Sequence, residues 1–182
     1  MSTKSKKGFT IIEVVLVLAI AGLIFLMVFI ALPALQRSQR NTQRADDMSR
    51  ILTAVNSYQS NNNGKTPFTK GNNNNYTVAP TFVVRYIDET CKLKQDGSGY
   101  TYTDCGDQFT DPDGTIYNIA VSGTGGSYTL ASAGRNAIDH IFHVAVNAGC
   151  GDEGTTKAGT GERQIAILYQ MEGGAVACND NH

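Results

Sequence analysis

The most prominent pattern in the sequence is an apolar run from Phe9 to Leu32, FTIIEVVLVLAIAGLIFLMVFIAL, in which Glu13 is the single charged residue. As an α-helix, a run of this length spans about 36 Å, more than the roughly 30 Å of a bilayer's hydrocarbon core. It is also longer than the apolar part of an ordinary secretory signal, and no A-x-A cleavage site follows it. The sequence therefore predicts a membrane-spanning helix over residues 9–33.

After Pro33 the apolar residues recur at steps of three and four, which is typical of an amphipathic helix. The helix is expected to continue over residues 34–61 as a stalk whose apolar stripe packs on a sheet. The stripe consists of Met48, Ile51, Leu52, Val55 and Tyr58.

Residues 62–182 are predicted to form a globular β-sheet domain. A loop rich in Asn and Gly comes first, and β-rich runs separated by Gly, Asp and Ser follow. Several runs alternate between apolar and polar residues, as in an antiparallel sheet with one face against a helix. The expected fold class is α+β, a long N-terminal hydrophobic helix whose C-terminal half packs on one antiparallel meander sheet. The runs are YTVAPTFVVRYI, YTYT, TIYNIAVS, SYTLAS, HIFHVAVN and QIAILYQM.

Length and charge change this picture only slightly. The chain of 182 residues, without Trp, is long enough for one domain with a substantial core. Residues 51–182 contain 8 basic and 13 acidic residues, a net charge of −5. An acidic domain is a poor electrostatic match for DNA or RNA. No direct contact with nucleic acid is therefore expected.

Four cysteines, Cys91, Cys105, Cys150 and Cys178, all lie in the second half of the chain. None is part of a CxxC pair, so a zinc ribbon or a thioredoxin-like site is not expected. An even number in an exported domain predicts two disulfides. Three pairings are possible and the sequence alone does not choose among them; we favour Cys91–Cys105 with Cys150–Cys178, which closes the shortest loops.

Candidate catalytic and metal-binding residues are few. The sequence lacks GxSxG, Walker and HExxH motifs, so no enzyme activity is expected. His140 and His143 lie in a predicted strand, where their spacing does not bring two ligands together. Asp107, Asp111 and Asp113 surround the sequence DPDG, which is an ordinary turn and a weaker candidate for a calcium loop. No cofactor is expected apart from that weak possibility of calcium.

The N-terminal sequence KKGFTIIEVVLVLAIAGLI resembles the signature of type IV prepilins, with its class III signal peptide. The resemblance implies that residues 1–8 are a leader, cut between Gly8 and Phe9 by a prepilin peptidase on the cytoplasmic face. It further implies N-methylation of the new Phe9 amine. In a filament the Phe9 ammonium of a neighbouring subunit would pair with the buried carboxylate of Glu13 and fix the register between subunits.

Two further positions match the family in part. Gly22 lies where such pilins often have a helix-weakening glycine. Pro33 is the helix-breaking proline, although it comes three residues later than its most familiar place. The resemblance thus implies a weakened helix between Gly22 and Pro33.

The resemblance implies a structural subunit of a type IV pilus, a helical homopolymer serving adhesion, motility or DNA uptake. The implied partners are the chain itself, prepilin peptidase, an inner-membrane platform with its extension ATPase, and the membrane before assembly. The chain is then expected as a single-pass protein of the cytoplasmic membrane, N-terminus inside, and afterwards as part of an extracellular pilus. One alternative is a pseudopilin of a type II secretion-like system or a competence filament; another is a membrane-tethered binding domain.

Three arginines, Arg37, Arg40 and Arg44, share one face of the predicted stalk helix. Two interpretations stay open for them. The face lies either in solvent or among lipid headgroups, or it forms a strip of salt bridges between subunits of a filament.

Overall fold

The computed structural model describes residues 8–70, 76–96, 99–124, 130 and 140–181. The chain divides into two compact units, Met1–Gln39 and Arg40–His182. Residues 1–7 of the expected leader and most of the run SYTLAS lie outside the described residues. Each unit is considered separately below.

Helix α1 extends over Ile11–Asn61 and contains Pro33 within it. A break at Gly22 or Pro33, as named from the sequence, is not present in this helix. Proline removes one intrahelical hydrogen bond, and in a helix this long the turns on both sides maintain the helical backbone. The prediction that the helix continues beyond Pro33 to Asn61 is confirmed.

In the first unit, the part of α1 up to Leu35 exposes apolar side chains on all sides. Every large apolar side chain between residues 9 and 35 is exposed, from 46% at Leu32 to 90% at Phe9. The segment has a mean hydropathy of 3.2 over its most apolar 18 residues, enough for a membrane span. Burying each such side chain is favourable by about 1.5–3 kcal/mol, so lipid or other protein must cover this surface.

The second unit is an α+β fold, as expected. Its part of α1 buries Met48, Ile51, Leu52 and Val55, which confirms the predicted stripe, and Tyr58 packs on the same core. The strands are β1 (Phe68–Lys70), β2 (Tyr76–Val78), β3 (Lys92–Asp96), β4 (Gly99–Thr103), β5 (Asn118–Thr124), β6 (Ile141–Val146), β7 (Ala148–Cys150), β8 (Thr156–Ala158), β9 (Ile165–Gln170) and β10 (Val176–Asp180).

The main sheet has four strands in the order β10-β9-β6-β5. Its β10–β9 and β9–β6 pairs are antiparallel, but β5 and β6 are parallel. The expectation of a wholly antiparallel meander was therefore wrong at this pair, because β6 does not follow β5 through a hairpin. Three two-stranded antiparallel sheets, β1–β2, β3–β4 and β7–β8, complete the described strands.

A second correction concerns the run YTVAPTFVVRYI, which was expected to be a strand throughout. Its first residues form β2, but Phe82–Tyr86 is a short helix, α2. Pro80 has no N–H for a strand ladder, and the amide of Phe82 instead donates to the Ala79 carbonyl at 2.9 Å, which begins a turn. Phe82 and its neighbour Val83 are both fully buried, an arrangement that a strand with one buried face does not give.

Candidate functional site

The start of α1 forms the first candidate site. Gly8 and Phe9, the expected cleavage residues, are exposed and precede the helix. Thr10 occupies the N-cap position, directly before the first helical residue, Ile11. Gly8 and Phe9 therefore lie outside the helix and are accessible, and cleavage between them stays a prediction.

Thr10 and Glu13 form a capping box. The Glu13 Oε2 atom accepts hydrogen bonds from the Thr10 backbone N–H and hydroxyl, both at 2.8 Å. In return the Glu13 N–H donates to Thr10 Oγ1 at 3.4 Å. This reciprocal pair satisfies free N–H groups at the helix start, and the carboxylate is favoured there by the helix dipole.

Sequence reasoning missed this contact, although its signal, a Thr followed three residues later by a Glu before an apolar run, is visible in TIIE. One carboxylate oxygen of Glu13 accepts both bonds from Thr10. The pairing of Glu13 with a neighbouring subunit's Phe9 is a contact between chains and stays a prediction.

A buried ion-pair network lies where α1 enters the second unit. The Arg44 guanidinium is fully buried and donates two hydrogen bonds to Asp111, both at 2.7 Å. It donates a third to Glu172 at 2.9 Å. Burial by itself would lower the pKa of Arg44, but the hydrogen bonds to Asp111 and Glu172 outweigh it and raise the pKa, so the side chain stays charged.

Arg40 completes the network on its solvent side. Its guanidinium forms a bidentate contact with the Glu172 carboxylate, with donor–acceptor distances of 2.6 and 2.8 Å. The Asn41 side chain donates to the Glu172 carbonyl and accepts from the Glu172 N–H. The hydrogen bonds from Arg40 lower the pKa of the Glu172 carboxyl to about 2. A solvent-facing position is thus wrong for Arg44, which is buried and paired within its own unit. Arg40 is partly exposed and pairs within the same unit, and Arg37 is exposed.

The turn from Asp107 to Asp113 was the weak calcium candidate. Asp111 Oδ1 and Oδ2 both accept from Arg44, and Tyr169 donates its hydroxyl to Oδ2 at 3.0 Å. Asp113 Oδ2 lies 2.7 Å from His140 Nε2. Ligand atoms of Asp111, Asp113 and His140 lie within 4.8 Å of one another. These carboxylates are engaged with Arg44 and His140 in the chain itself, so calcium stays an untested expectation.

Both disulfides join cysteines that follow one another in the chain. Cys91 is bonded to Cys105, across the β3–β4 hairpin, and Cys150 is bonded to Cys178, between β7 and β10. This is the pairing favoured from the sequence. The second bond attaches the β7–β8 hairpin to the edge strand of the main sheet, so the C-terminal strand is linked to the rest of the fold covalently.

Comparison with known proteins identifies one family. Residues 3–29 match the family described as the prokaryotic N-terminal methylation motif. No curated protein and no solved structure matches the chain. The match covers Gly8, Phe9, Glu13 and Gly22, and it ends before Pro33 and the second unit. The chain therefore carries, at its N-terminus, the class III signal peptide of type IV pilins, the motif that pilin-like and pseudopilin precursors share.

Proposed function

We propose that this chain is the precursor of a structural subunit of a type IV pilus. The observation that carries the proposal is the methylation motif at residues 3–29, which overlaps an apolar helix that no described residue of the same unit covers. Prepilin peptidase removes residues 1–8 and methylates the Phe9 amine. The mature chain then waits in the cytoplasmic membrane, N-terminus inside, until the inner-membrane platform and extension ATPase add it to the filament.

The exposed apolar surface supports this cycle. Nineteen large apolar side chains from Phe9 to Leu35 are exposed, more than a protein in water tolerates. Lipid covers them before assembly and the helices of neighbouring subunits cover them afterwards. A simple membrane tether would need only the first of these two environments, and it would gain nothing from a carboxylate at Glu13.

Glu13 is the proposed assembly residue. A carboxylate buried among apolar helices is strongly unfavourable unless a cation and hydrogen bonds compensate it. The capping box supplies the hydrogen bonds from Thr10, and the Phe9 ammonium of the adjacent subunit supplies the cation. Since only one axial offset brings the two together, the pair sets the register of the filament.

The second unit supports an extracellular destination. Two disulfides require an oxidising compartment, and they stabilise a domain that has left the cell. Both disulfides are consistent with a surface filament exposed to mechanical force. The alternative, a pseudopilin of a type II secretion-like system or a competence filament, shares the motif and the apolar helix and differs in the fibre that results.

Intact-mass measurement and electron microscopy test the proposal together. We expect the mature chain to begin at Phe9 and to carry one added methyl group. Cells should display surface fibres that disappear when the gene is deleted. Glu13→Ala should be cleaved and membrane-bound but should form no fibres, whereas Glu89→Ala, at an exposed carboxylate of the second unit, should assemble normally.

Three outcomes separate the alternatives. An uncut chain overturns the whole filament class and leaves the membrane-tethered domain. A cut and methylated chain with no surface fibres, in cells whose secretion or DNA uptake fails without it, favours the pseudopilin or competence filament. Normal fibres from Glu13→Ala would refute the role given to that carboxylate.

A further inference from the structure

The second unit has a basic groove beyond the C-terminal end of α1. The groove has a volume of about 950 Å³ and is lined by Lys65, Lys70 and Arg163, with Glu162 as its one acidic residue. Its formal charge is thus three positive and one negative, or +2. None of the three cations forms an ion pair with another residue in the described part of the chain.

The local backbone positions the groove's arginine. The Arg163 carbonyl accepts hydrogen bonds from Gln59 at 2.9 Å and from Asn181 at 3.1 Å, which attach it to α1 and to the chain after β10. Its guanidinium lies over Gly64, where a Cβ would come within 2.4 Å of Cζ. Asn147 also lines the groove, and its buried side-chain oxygen has no hydrogen-bond partner among the described residues. For an incoming acidic group the groove therefore offers the three cations Lys65, Lys70 and Arg163.

An acidic surface lies at the other end of the same unit. Asp107 lines a cavity of about 450 Å³ together with Gln43 of α1. Asp46 follows Gln43 by three residues and is exposed on the same side of the helix. Asp113, on the turn after Asp107, is exposed as well but already pairs with His140, whose Nε2 lies 2.7 Å from its Oδ2. The nearby carboxylates of Asp47, Asp111 and Glu172 are paired with arginines and are neutralised within the chain.

The two charged surfaces are too far apart to interact within one subunit. From Asp46 to the end of α1 the helix rises by about 22 Å, and the basic groove lies beyond that end. This distance exceeds the Debye length of about 8 Å at physiological ionic strength. Within one subunit each surface therefore keeps its charge unneutralised, whereas a second copy displaced along α1 brings opposite charges together.

We propose that the groove of Lys65, Lys70 and Arg163 binds the surface of Asp46 and Asp107 on a second copy of this chain. This inference rests on the proposed function, because the filament supplies copies displaced along the helix axis. The contact joins the globular units head to tail and acts in addition to the packing of the apolar helices. It also sets the direction in which successive units face.

Charge reversal in the full-length chain tests the contact. Lys65→Glu with Arg163→Glu, and separately Asp46→Lys with Asp107→Lys, should each reduce the amount of sheared filament several-fold. Combining all four changes should restore it, because the charges are then exchanged. The matched control is Lys94→Glu with Lys157→Glu, two exposed lysines that line neither surface, and it should assemble like the unmodified chain.

A second measurement does not require the chain to fold with reversed charges. In an otherwise unmodified chain, Lys65→Cys with Asp107→Cys should give a ladder of disulfide-linked oligomers from filaments, and Lys94→Cys with Asp107→Cys should not. Normal filament from both reversals, no recovery in the fourfold variant, or no ladder from assembled filaments would each overturn the contact. If the unmodified chain forms no fibres at all, the proposed function fails first and this contact fails with it.

Discussion

At the residue scale, Arg44 is the position where the sequence pattern is least informative. An arginine beside an apolar helical stripe is usually solvent-exposed, yet this one is fully buried. Its partner Asp111 lies 67 residues away, and no local spacing indicates that contact. The Thr10–Glu13 capping box is the opposite case, because both residues lie within one helical turn and the pattern alone could have identified it.

Replacing Arg44 tests the importance of its charge. Arg44→Met should destabilise the second unit by about 3–5 kcal/mol, because Asp111 remains buried without its cation. Arg44→Met combined with Asp111→Leu should recover much of this loss, since no uncompensated charge remains. Urea unfolding of the full chain in detergent, followed by the near-ultraviolet circular dichroism of the tyrosines, measures both. Arg37→Met, at an exposed position, is the control and should change little.

A double variant no more stable than Arg44→Met would contradict this account. That result would assign the stabilisation to the hydrogen bonds from Tyr169 and the Asp113 amide to Asp111, and not to compensation of its charge.

At the element scale, the predictions were reliable where a pattern is long and local. Helix α1 and strands β6 and β9 occur where the apolar periodicity placed them. The parallel pairing of β5 with β6 was missed because strand order depends on the path of the connection and not on either strand's residues. Helix α2 was missed because Val83 and Val84 favour strands intrinsically, while burial of Phe82 and Val83 decides the local conformation.

The β7–β8 hairpin depends on the bond from Cys150 to Cys178. Removing it with Cys150→Ser and Cys178→Ser reopens a loop of 28 residues and should reduce the free energy of unfolding by about 3 kcal/mol. The loss should be local at first, so amide hydrogen exchange should rise in β7, β8 and β10 before β6. Cys91→Ser with Cys105→Ser is the matched control, with a similar loss but faster exchange in β3 and β4. If amide hydrogen exchange rose equally in all strands of both variants, the two disulfides would not stabilise separate parts of the fold.

At the scale of the whole molecule, the two units need different surroundings and were predictable to different degrees. The candidate site in the first unit is local, and residues 8–13 identify it together with the apolar run that follows. The second unit is held by contacts between distant residues, including the aromatic cluster of Tyr117, Phe142 and Tyr169. Sequence reasoning gave its fold class but could not give these pairings, because each depends on the complete three-dimensional path of the chain.

The stability of the second unit should fall steeply in acid. Hydrogen bonds from Arg40 lower the pKa of Glu172 to about 2. Burial would raise the pKa of Asp113, but its hydrogen bonds with His140 and Thr115 together outweigh burial and lower that pKa to about 2. Unfolding restores ordinary values near 4, so the unfolded chain binds more protons and stability is lost as pH falls from about 5 toward 2. Thermal unfolding in detergent at pH 7, 4 and 3 should show this. Glu172→Gln should be less stable at pH 7, but its stability should change less between pH 7 and pH 3, because it lacks one of the carboxylates that take up protons on unfolding. An unchanged dependence of stability on pH would exclude Glu172 as a source of the acid sensitivity.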